Sequence, residues 1–260
     1  MTSQFAGESV LITGAAGGIG RELARSFAES GANVLMCDVD ESAVASAADM
    51  VSASAKGRVV PQRLDVSIEA QFEAAVERAV AEFTTLDHLV NNAGVVHVAT
   101  IVTTPEEAWD RVMNVNLKGS FFGVKTALPV MLDQGHGTIT NVSSGVGKRG
   151  SAMLSAYCAS KAAVISLTQT AALEAAPNVR VNCVCPGVLD TQMQEQEYEI
   201  MARTTGKDRD AVRQEWVESI PLLALQRPQD IADAVMFLAS RAASQITGES
   251  LSVNGGWLMD

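Results

Sequence analysis

Short β-branched runs alternate along the chain with longer segments in which apolar residues recur every three or four positions. This alternation is typical of βαβ units, in which helical crossovers join parallel strands. The apolar runs that are bounded by turn residues predict seven strands. They cover Ser9–Thr13, Asn33–Asp38, Arg58–Leu64, His88–Asn91, Gly137–Val142, Arg180–Cys185 and Ser250–Val253.

Helical periodicity is clearest in two of the intervening segments. Apolar residues recur at steps of three and four from Ile68 to Phe83, and again from Leu117 to Leu132, so each segment predicts an amphipathic helix. Parallel strands need crossover connections, and both faces of such a sheet must be covered. The pattern therefore predicts an α/β fold with a doubly wound parallel sheet. No linker, repeat or low-complexity block interrupts it, and we expect one domain over residues 1–260.

Residues 191–219 break this rhythm, because the segment is polar, charged and rich in Gln, Glu and Arg. Its helical pattern is weak and is confined to residues 195–203 and 208–218. An excursion of this length inside a compact domain is usually functional, and here it predicts a lid over a substrate site. A pair of solvated surface helices is the alternative.

Composition restricts the partners. The formal charge of −11 disfavours binding to nucleic acid or to an anionic membrane, since both require a basic surface. No apolar run reaches the ~18 residues of a membrane span, and no secretory signal is recognisable, so we expect a cytoplasmic protein. The four cysteines lack metal-ligand spacing, and we expect no metal site.

A glycine-rich stretch, Gly14–Gly20, follows the first predicted strand and leads into a helix that is predicted to begin near Arg21. Glycines at such a turn let a pyrophosphate approach backbone N–H groups at a helix N-terminus, where the helix dipole favours anions. Asp38 ends the second predicted strand 18 residues after Gly20, close to the ~20 expected for a carboxylate that bonds the adenosine ribose. A carboxylate there would repel a 2′-phosphate, so the sequence predicts NAD rather than NADP as the cofactor.

Tyr157 and Lys161 are four residues apart in a segment that predicts a helix, so their side chains share one face. A nearby cation favours the phenolate and lowers the pKa of a tyrosine from its ordinary value of about 10, which suits a general base. The spacing alone is also met by an ordinary surface tyrosine beside a solvated lysine.

The order of these features resembles the classical short-chain dehydrogenase/reductase family. Five motifs carry the likeness in sequence order: the glycine loop, Asp38, the run Asn91–Gly94, Ser144 and the Tyr157–Lys161 pair. The resemblance implies a Rossmann-type sheet in the order 3-2-1-4-5-6-7 and assembly as a homotetramer or dimer. Small residues on helices 117–132 and 152–176 would let a second subunit approach closely.

The resemblance assigns catalytic roles to four residues. Tyr157 matches the general acid/base, and Lys161 matches the residue that binds the nicotinamide ribose and lowers the tyrosine pKa. Ser144, thirteen residues before the tyrosine, matches the group that hydrogen-bonds the substrate oxygen. Asn116 matches the residue that holds a proton-relay water. The neighbours most easily confused with the last two are Ser143 and Asn114.

The same resemblance implies a set of cofactor contacts. Asp65 and Val66 match the adenine-contacting pair, and residues 186–191 match the loop that holds the nicotinamide carboxamide. The residues expected to bind the cofactor are Gly14, Gly18, Ile19, Gly20, Asp38, Asp65, Val66, Asn91, Ala93, Gly94, Tyr157, Lys161, Pro186, Gly187, Leu189 and Thr191.

The substrate is expected at the carboxyl ends of the strands, between the catalytic groups and residues 191–219. A basic pair after the catalytic serine could bind an anionic substrate group, although solvated loop charges or subunit contacts are the favoured explanation. A histidine after the Asn91–Gly94 run is interpreted as a rim residue, because the acid/base role is already filled. The candidate lining residues are Val96, His97, Arg149, Met153 and Gln192, with Lys148 and Gln194 as further neighbours.

Residues 157–169 and 254–257 look like the corresponding stretches of polyol and sugar dehydrogenases in the family. We therefore expect NAD-dependent oxidation of a secondary alcohol on a sugar, polyol or similar small molecule, with Tyr157 taking the hydroxyl proton. Activity should rise with pH until the phenol ionises. A 3-oxoacyl thioester reductase is the alternative, which is disfavoured because NADP sites use a nearby basic residue and neither Gly17 nor Cys37, where it would stand, is basic. A non-catalytic NAD-binding sensor is disfavoured because such proteins typically lose the tyrosine or the lysine.

Overall fold

The computed structural model describes residues 4–259, apart from the side chains of Gln192, Met193 and Gln196. The strands are β1 (Ser9–Thr13), β2 (Asn33–Asp38), β3 (Val59–Arg63), β4 (His88–Asn91), β5 (Gly137–Val142), β6 (Val179–Pro186) and β7 (Ser250–Val253). They form one parallel sheet in the order β3-β2-β1-β4-β5-β6-β7. The predicted fold class and strand order are confirmed.

Helices connect the strands and cover both faces of the sheet. They are α1 (Gly18–Glu29), α2 (Glu41–Ser52), α3 (Glu69–Phe83), α4 (Glu106–Val112), α5 (Gly119–Gln134), α6 (Ser155–Ala175), α7 (Gln192–Thr205), α8 (Arg209–Glu218) and α9 (Pro228–Ala239). The part of the chain that the structure describes contains no helix long and apolar enough to cross a membrane.

Alternation along the central strands fills two apolar layers. Val10 and Ile12 of β1 face the layer formed with α1, α2 and α9, whereas Leu11 faces the layer formed with α3, α5 and α6. All three side chains are fully buried. A strand that is covered on both faces reads as a continuous apolar run, which is why β1 lacks a polar face.

The observed bounds differ from the predicted ones at three places. β3 is one residue shorter at each end than predicted and β6 is one residue longer at each end. Helix α1 begins at Gly18 rather than near Arg21, because the N–H of Arg21 already bonds to the carbonyl of Gly17 and closes the first turn around the glycines. The glycines predicted as loop therefore form the helix N-terminus itself.

The helix predicted over residues 117–132 is part of a longer helical run. Between α4 and α5 the chain forms a π-helix over Met113–Lys118. Such wider turns are rare and occur often at functional sites. This one contains Asn116, whose side chain is fully buried.

Residues 191–219 form two helices, α7 and α8, which pack on a small apolar cluster of their own. Tyr198 and Trp216 meet edge to face in that cluster, with ring centres 5.5 Å apart. Val188, in the loop after β6, joins them and fastens the helix pair to the sheet. The segment is therefore a packed cap rather than two independent solvated helices, and α7 is longer than the weak pattern at 195–203 indicated.

Candidate active site

A cavity of about 460 Å³ lies at the carboxyl edge of the sheet. Strands β1, β2, β4, β5 and β6 all end there, because parallel strands run in the same direction. The glycine loop contributes to its wall, and so do helices α7 and α8. Ser144, Tyr157 and Lys161 line the same cavity. The fold thus brings together groups that are far apart in the chain.

The glycine loop is held in a conformation that other residues would not adopt easily. Gly14 and Gly18 have φ angles of +65° and +52°. A Cβ on Gly14 would lie 2.9 Å from the Cα of Ala93, and one on Gly20 would lie 2.0 Å from the carbonyl oxygen of Gly14. These glycines therefore allow the close packing of the loop against α1 and against the turn after β4.

The N-terminus of α1 has the features of a pyrophosphate site. Its N-cap, Gly17, provides no side-chain cap, and no acidic residue stands in the first turn. The first N–H groups of a helix need partners, and the dipole favours an anion there. A Cβ on Gly17 or Gly18 would meet nothing within 4 Å, so the helix end opens onto free space beside the cavity. These residues fit the phosphates of a dinucleotide.

Asp38 lies at the end of β2 on the cavity wall. Its carboxylate accepts hydrogen bonds from the backbone N–H groups of Ala16, at 3.1 Å, and Asp40, at 3.2 Å. The first bond ties the carboxylate to the glycine loop. The remaining lone pairs are available to the hydroxyl groups of a ribose, which is the partner expected at this position of a dinucleotide site.

Tyr157 and Lys161 occupy one face of α6, as their spacing predicts. The Lys161 ammonium lies 5.7 Å from the centre of the Tyr157 ring and donates a hydrogen bond of 2.8 Å to the carbonyl oxygen of Val142. Lys161 is buried, with 3% of its surface exposed. Gly94 allows this placement, since a Cβ there would lie 3.3 Å from the ammonium nitrogen.

The electrostatics of the pair differ from the expectation that Lys161 lowers the tyrosine pKa. Burial raises the pKa of the Tyr157 phenol, and the Glu197 carboxylate acts in the same direction, whereas a hydrogen bond with Ser144 lowers it. Burial also lowers the pKa of Lys161 to about 8, so the amine still carries most of its charge at neutral pH. The burial of Tyr157 thus favours the protonated phenol.

The structure distinguishes Ser144 from its neighbour Ser143. The hydroxyl of Ser143 donates a hydrogen bond of 2.8 Å to the carbonyl oxygen of Lys161 and so fastens α6 to the end of β5. The hydroxyl of Ser144 hydrogen-bonds Tyr157 and accepts from the N–H of Val146 at 3.4 Å. Ser144 is thus the serine in contact with the phenol, as the thirteen-residue spacing indicated.

Asn116 is buried, whereas Asn114 is exposed. The Asn116 carboxamide pairs with Val95, accepting from its N–H at 2.8 Å and donating to its carbonyl at 2.9 Å. It also donates to the Ser160 hydroxyl at 3.1 Å. These bonds join the π-helix to α6 and to the segment after β4. The role of Asn116 in holding a water stays a prediction.

Twelve of the sixteen predicted cofactor residues line the cavity. They are Gly14, Gly18, Ile19, Asp38, Ala93, Gly94, Tyr157, Lys161, Pro186, Gly187, Leu189 and Thr191. Thr191 also caps α7, because its hydroxyl accepts from the N–H of Gln194 at 3.4 Å. The loop after β6 thus connects the expected carboxamide contacts directly to the lid.

The other four predicted cofactor residues are not among the described residues that line the cavity. Gly20 packs against the glycine loop, and Asn91 donates to the Asn141 carboxamide oxygen at 2.9 Å. Asp65 accepts from the Ser67 hydroxyl at 2.6 Å, and Val66 is a buried contact of α5.

The substrate end of the cavity differs from the sequence-based expectation. Val96, His97, Arg149 and Met153 are not among the described residues that line it. The segment after β4 is joined to the loop before α6, because the N–H of Ala99 bonds to the carbonyl of Met153. Arg149 is exposed and lines a separate depression. The side chain of Gln192 lies outside the described residues. Gln194, which the sequence predicts as a further neighbour, does line the cavity, together with Val146, Ser151, Leu154, Glu197, Trp216 and Trp257.

Lys148 is also absent from the cavity wall among the described residues. Its ammonium donates to the carbonyl oxygen of Ser250 at 2.6 Å and to the Ser252 hydroxyl at 2.9 Å. The lysine therefore joins the loop after β5 to β7, which is a structural contact rather than a substrate contact.

Glu197 is the functional candidate that sequence reasoning missed. It lies on α7 in the cavity wall, and burial raises its pKa to about 7, against a weaker lowering by the hydrogen bond from Gln194. The signal that could have found it is helical spacing: residues 194, 197, 198 and 201 form a single stripe. Because only Tyr198 and Met201 of that stripe are apolar, the face was indistinguishable from a solvated one.

Comparison with known proteins places these features in a family. A family model described as enoyl-(acyl carrier protein) reductase matches residues 14–258. The chain is 40% identical to 3-oxoacyl-(acyl-carrier-protein) reductase of Thermotoga maritima, over 96% of this chain and 97% of that protein. It is 38% identical to galactitol 2-dehydrogenase of Agrobacterium fabrum, over 95% of this chain and 96% of that protein.

A solved structure agrees with these sequence matches. The crystal structure of NAD⁺-bound xylitol dehydrogenase has a TM-score of 0.94 and 32% identity, and the match covers 97% of this chain and 100% of that one. The chain therefore belongs to the classical short-chain dehydrogenase/reductase family, whose members are oxidoreductases that use NAD or NADP.

Proposed function

We propose that this protein is an NAD-dependent dehydrogenase that interconverts a secondary alcohol and a carbonyl on a small hydroxylated molecule, such as a sugar or polyol. The observation that carries the proposal is that one cavity is lined by Asp38, by Tyr157 and Ser144, and by the polar lid residues Gln194 and Glu197. A dinucleotide site and a polar substrate site therefore adjoin the same phenol.

The chain's own residues perform the proton chemistry in this proposal. Tyr157 gives a proton to the carbonyl oxygen or takes one from the hydroxyl, and Ser144 holds that oxygen by a hydrogen bond. Lys161, fixed by Val142, binds the nicotinamide ribose and supplies positive charge beside the phenol. When bound, the nicotinamide ring provides the hydride acceptor or donor.

The preference for NAD rests on Asp38. Its carboxylate is held at the cavity wall by the N–H of Ala16, and a 2′-phosphate at that place would meet a like charge. Lys161 is the sole basic side chain among the described residues of the wall, and it belongs to the catalytic end. The NAD⁺-bound xylitol dehydrogenase that resembles this chain supports the same preference.

Substrate choice is supported by the polar lid and by two relatives whose names specify polyols, galactitol 2-dehydrogenase and xylitol dehydrogenase. The second candidate is reduction of a 3-oxoacyl thioester. The 40% identity to a 3-oxoacyl-(acyl-carrier-protein) reductase favours it. Against it stands the Glu197 carboxylate in its ionised form, because a 3-oxoacyl thioester has methylene groups beside its reacting carbon and a thioester carbonyl beyond one of them, and none of these groups donates a hydrogen bond.

The deciding experiment measures NADH or NADPH formation with a panel of sugars and polyols, each with NAD⁺ and NADP⁺. In parallel, oxidation of NADH and NADPH is followed with a 3-oxoacyl thioester. Turnover of a polyol with NAD⁺ supports the proposal, and turnover confined to the thioester supports the second candidate. NAD binding without turnover of any compound would favour the non-catalytic sensor.

We also propose a homotetramer formed by one domain per chain. The outer face of α6 presents Ala162, Ser166 and Leu173 at helical spacing, and all three are exposed in the single chain. Leu173 has 84% of its surface exposed, so it supplies apolar surface for a partner helix on this face.

A further inference from the structure

The lid helix α7 carries three glutamates at alternate positions, and two of them pair with arginines. Glu195 forms an ion pair with Arg209, and Glu199 forms one with Arg203 at 3.6 Å. Glu197, between them, makes no ion pair among the residues that the structure describes, and it lines the cavity. A lid that served only to cover the site would not need an uncompensated carboxylate on its inner face.

The surroundings of Glu197 leave it ready to accept a hydrogen bond. The Gln194 side-chain amide donates to one carboxylate oxygen at 3.1 Å, and this is the one hydrogen bond to the Glu197 side chain within the described part of the chain. The other oxygen has lone pairs to offer. Burying a carboxylate without full hydrogen bonding costs free energy, so its retention in a cleft points to a partner that arrives with the substrate.

The position relative to the phenol identifies which part of the substrate arrives there. Glu197 lines the same cavity as Tyr157 and Ser144, and its charge raises the phenol's pKa. A substrate whose reacting oxygen is held by Tyr157 and Ser144 therefore presents a neighbouring group to Glu197. Leu154, Trp216 and Trp257 also line the cavity and provide apolar surface for the carbon skeleton.

We infer that Glu197 accepts a hydrogen bond from a second hydroxyl group of the substrate and thereby makes the enzyme selective for diols and polyols over simple secondary alcohols. This inference rests on the proposed function and names its substrate class. Gln194 positions the carboxylate, and its side chain is itself 8% exposed on the cavity wall. An anionic substituent next to the reacting carbon is rejected, because it would face Glu197 at close range.

The test compares butane-2,3-diol with butan-2-ol, which differ by the one hydroxyl. In the parent protein we expect kcat/KM with NAD⁺ to be higher for the diol by about 10- to 100-fold. This factor corresponds to the contribution of one hydrogen bond to a charged group. In Glu197→Ala the preference falls to near unity, whereas the control Glu199→Gln, which removes an exposed charge from the same helix, keeps it. If neither compound is oxidised, the same ratio is taken from their inhibition constants against a polyol that is accepted.

The pH dependence of this ratio separates a substrate contact from a structural role. The titratable groups that interact with Glu197 are Tyr157 of α6 and Tyr198 of its own helix. Both substrates need Tyr157 in the same protonation state, so its titration cancels in the ratio. The diol preference of the parent should rise between about pH 6 and pH 8, as Glu197 with its pKa of about 7 ionises, and should be flat in Glu197→Gln.

Three outcomes overturn the inference while leaving the proposed function intact. The first is a parent that treats butan-2-ol and the diol alike. The second is a Glu197→Ala variant that loses activity on both compounds by the same factor, which would indicate a structural role. The third is a Glu197-dependent preference for 3-aminobutan-2-ol over the diol, which would make the carboxylate a cation site. Failure of the proposed function appears differently, as no turnover of any alcohol in the panel.

Discussion

The ammonium group of Lys161 donates a hydrogen bond to the carbonyl oxygen of Val142, the last residue of β5, and so ties the catalytic helix α6 to the sheet edge. The amine is thereby fixed 5.7 Å from the centre of the Tyr157 ring. Burial lowers the pKa of Lys161 to about 8 and raises that of Tyr157. The pair therefore favours the neutral phenol until further positive charge enters the cavity.

Replacing Tyr157 by Phe should separate chemistry from cofactor binding. Without the phenolic oxygen there is no group to exchange the substrate proton, and we expect kcat for alcohol oxidation to fall by about 10²- to 10⁴-fold. NAD⁺ binding, measured by calorimetry, should stay close to that of the parent. The control is Tyr198→Phe, because the Tyr198 hydroxyl is buried without a hydrogen-bond partner in the described structure and removing it should cost nothing. A Tyr157→Phe variant with normal turnover would refute the assignment.

Cofactor preference should depend on Asp38. In Asp38→Asn, one amide oxygen can still accept from the Ala16 N–H, but the charge that repels a 2′-phosphate is gone. We expect the ratio of kcat/KM for NAD⁺ to that for NADP⁺ to fall by about 10- to 100-fold. Asp40→Asn is the matched control, since this exposed N-cap of α2 keeps its bond to the N–H of Ala43 as an asparagine. An unchanged ratio in Asp38→Asn would contradict the proposed NAD preference.

Two alanine substitutions in the glycine loop should have different effects. A Cβ at Gly20 would lie 2.0 Å from the carbonyl oxygen of Gly14, so Gly20→Ala should lower the free energy of unfolding by about 1–3 kcal/mol or more. A Cβ at Gly17 meets no atom within 4 Å, and the φ of −157° suits alanine. Gly17→Ala should therefore melt like the parent and bind NAD⁺ more weakly. Normal NAD⁺ affinity in Gly17→Ala would place the pyrophosphate elsewhere.

The local motifs were predictable because each is determined by a few neighbouring residues. Gly14 and Gly18 adopt positive φ angles that only glycine reaches easily, and the four-residue step between Tyr157 and Lys161 places both on one helix face. Properties that depend on residues far apart in the chain were harder to predict from the sequence. The rise in the pKa of Tyr157 arises from its burial and from Glu197, which is 40 residues away in sequence.

The substrate wall could not be predicted from nearness in sequence. His97 follows the Asn91–Gly94 turn closely, yet it is not among the described residues that line the cavity, whereas Leu154 is. In α7 most residues are polar, so the composition did not indicate which face of the helix lines the cavity. That face is determined by the packing of Tyr198 against Trp216, a contact between two helices that periodicity within one helix does not show.

Assembly can be tested on the outer face of α6 and its neighbour α5. Leu173 on α6 and Phe121 on α5 have 84% and 44% of their surfaces exposed in the single chain. Static light scattering at micromolar concentration should give four times the chain mass. Leu173→Glu should yield smaller species, because a charge at a subunit contact is costly to bury. A parent that scatters as a monomer would rule out the tetramer.

Glu197 should make stability depend on pH in a way that a single substitution isolates. Its pKa is about 7 in the folded chain and about 4.5 when unfolded, so between these values the folded state binds more protons than the unfolded state. The free energy of unfolding therefore falls as pH rises from about 4.5 to 7, by on the order of 1–3 kcal/mol, and stays low above that range.

The Glu197→Gln variant has no carboxyl group at this position, so its free energy of unfolding does not fall in this way. The Tm of the variant minus that of the parent should thus be larger at pH 8 than at pH 5, as measured by circular dichroism, whereas Glu199→Gln should show no such increase. A difference that is constant across pH would mean that Glu197 titrates as it does in the unfolded chain, and that it is not held in the desolvated cavity wall described above.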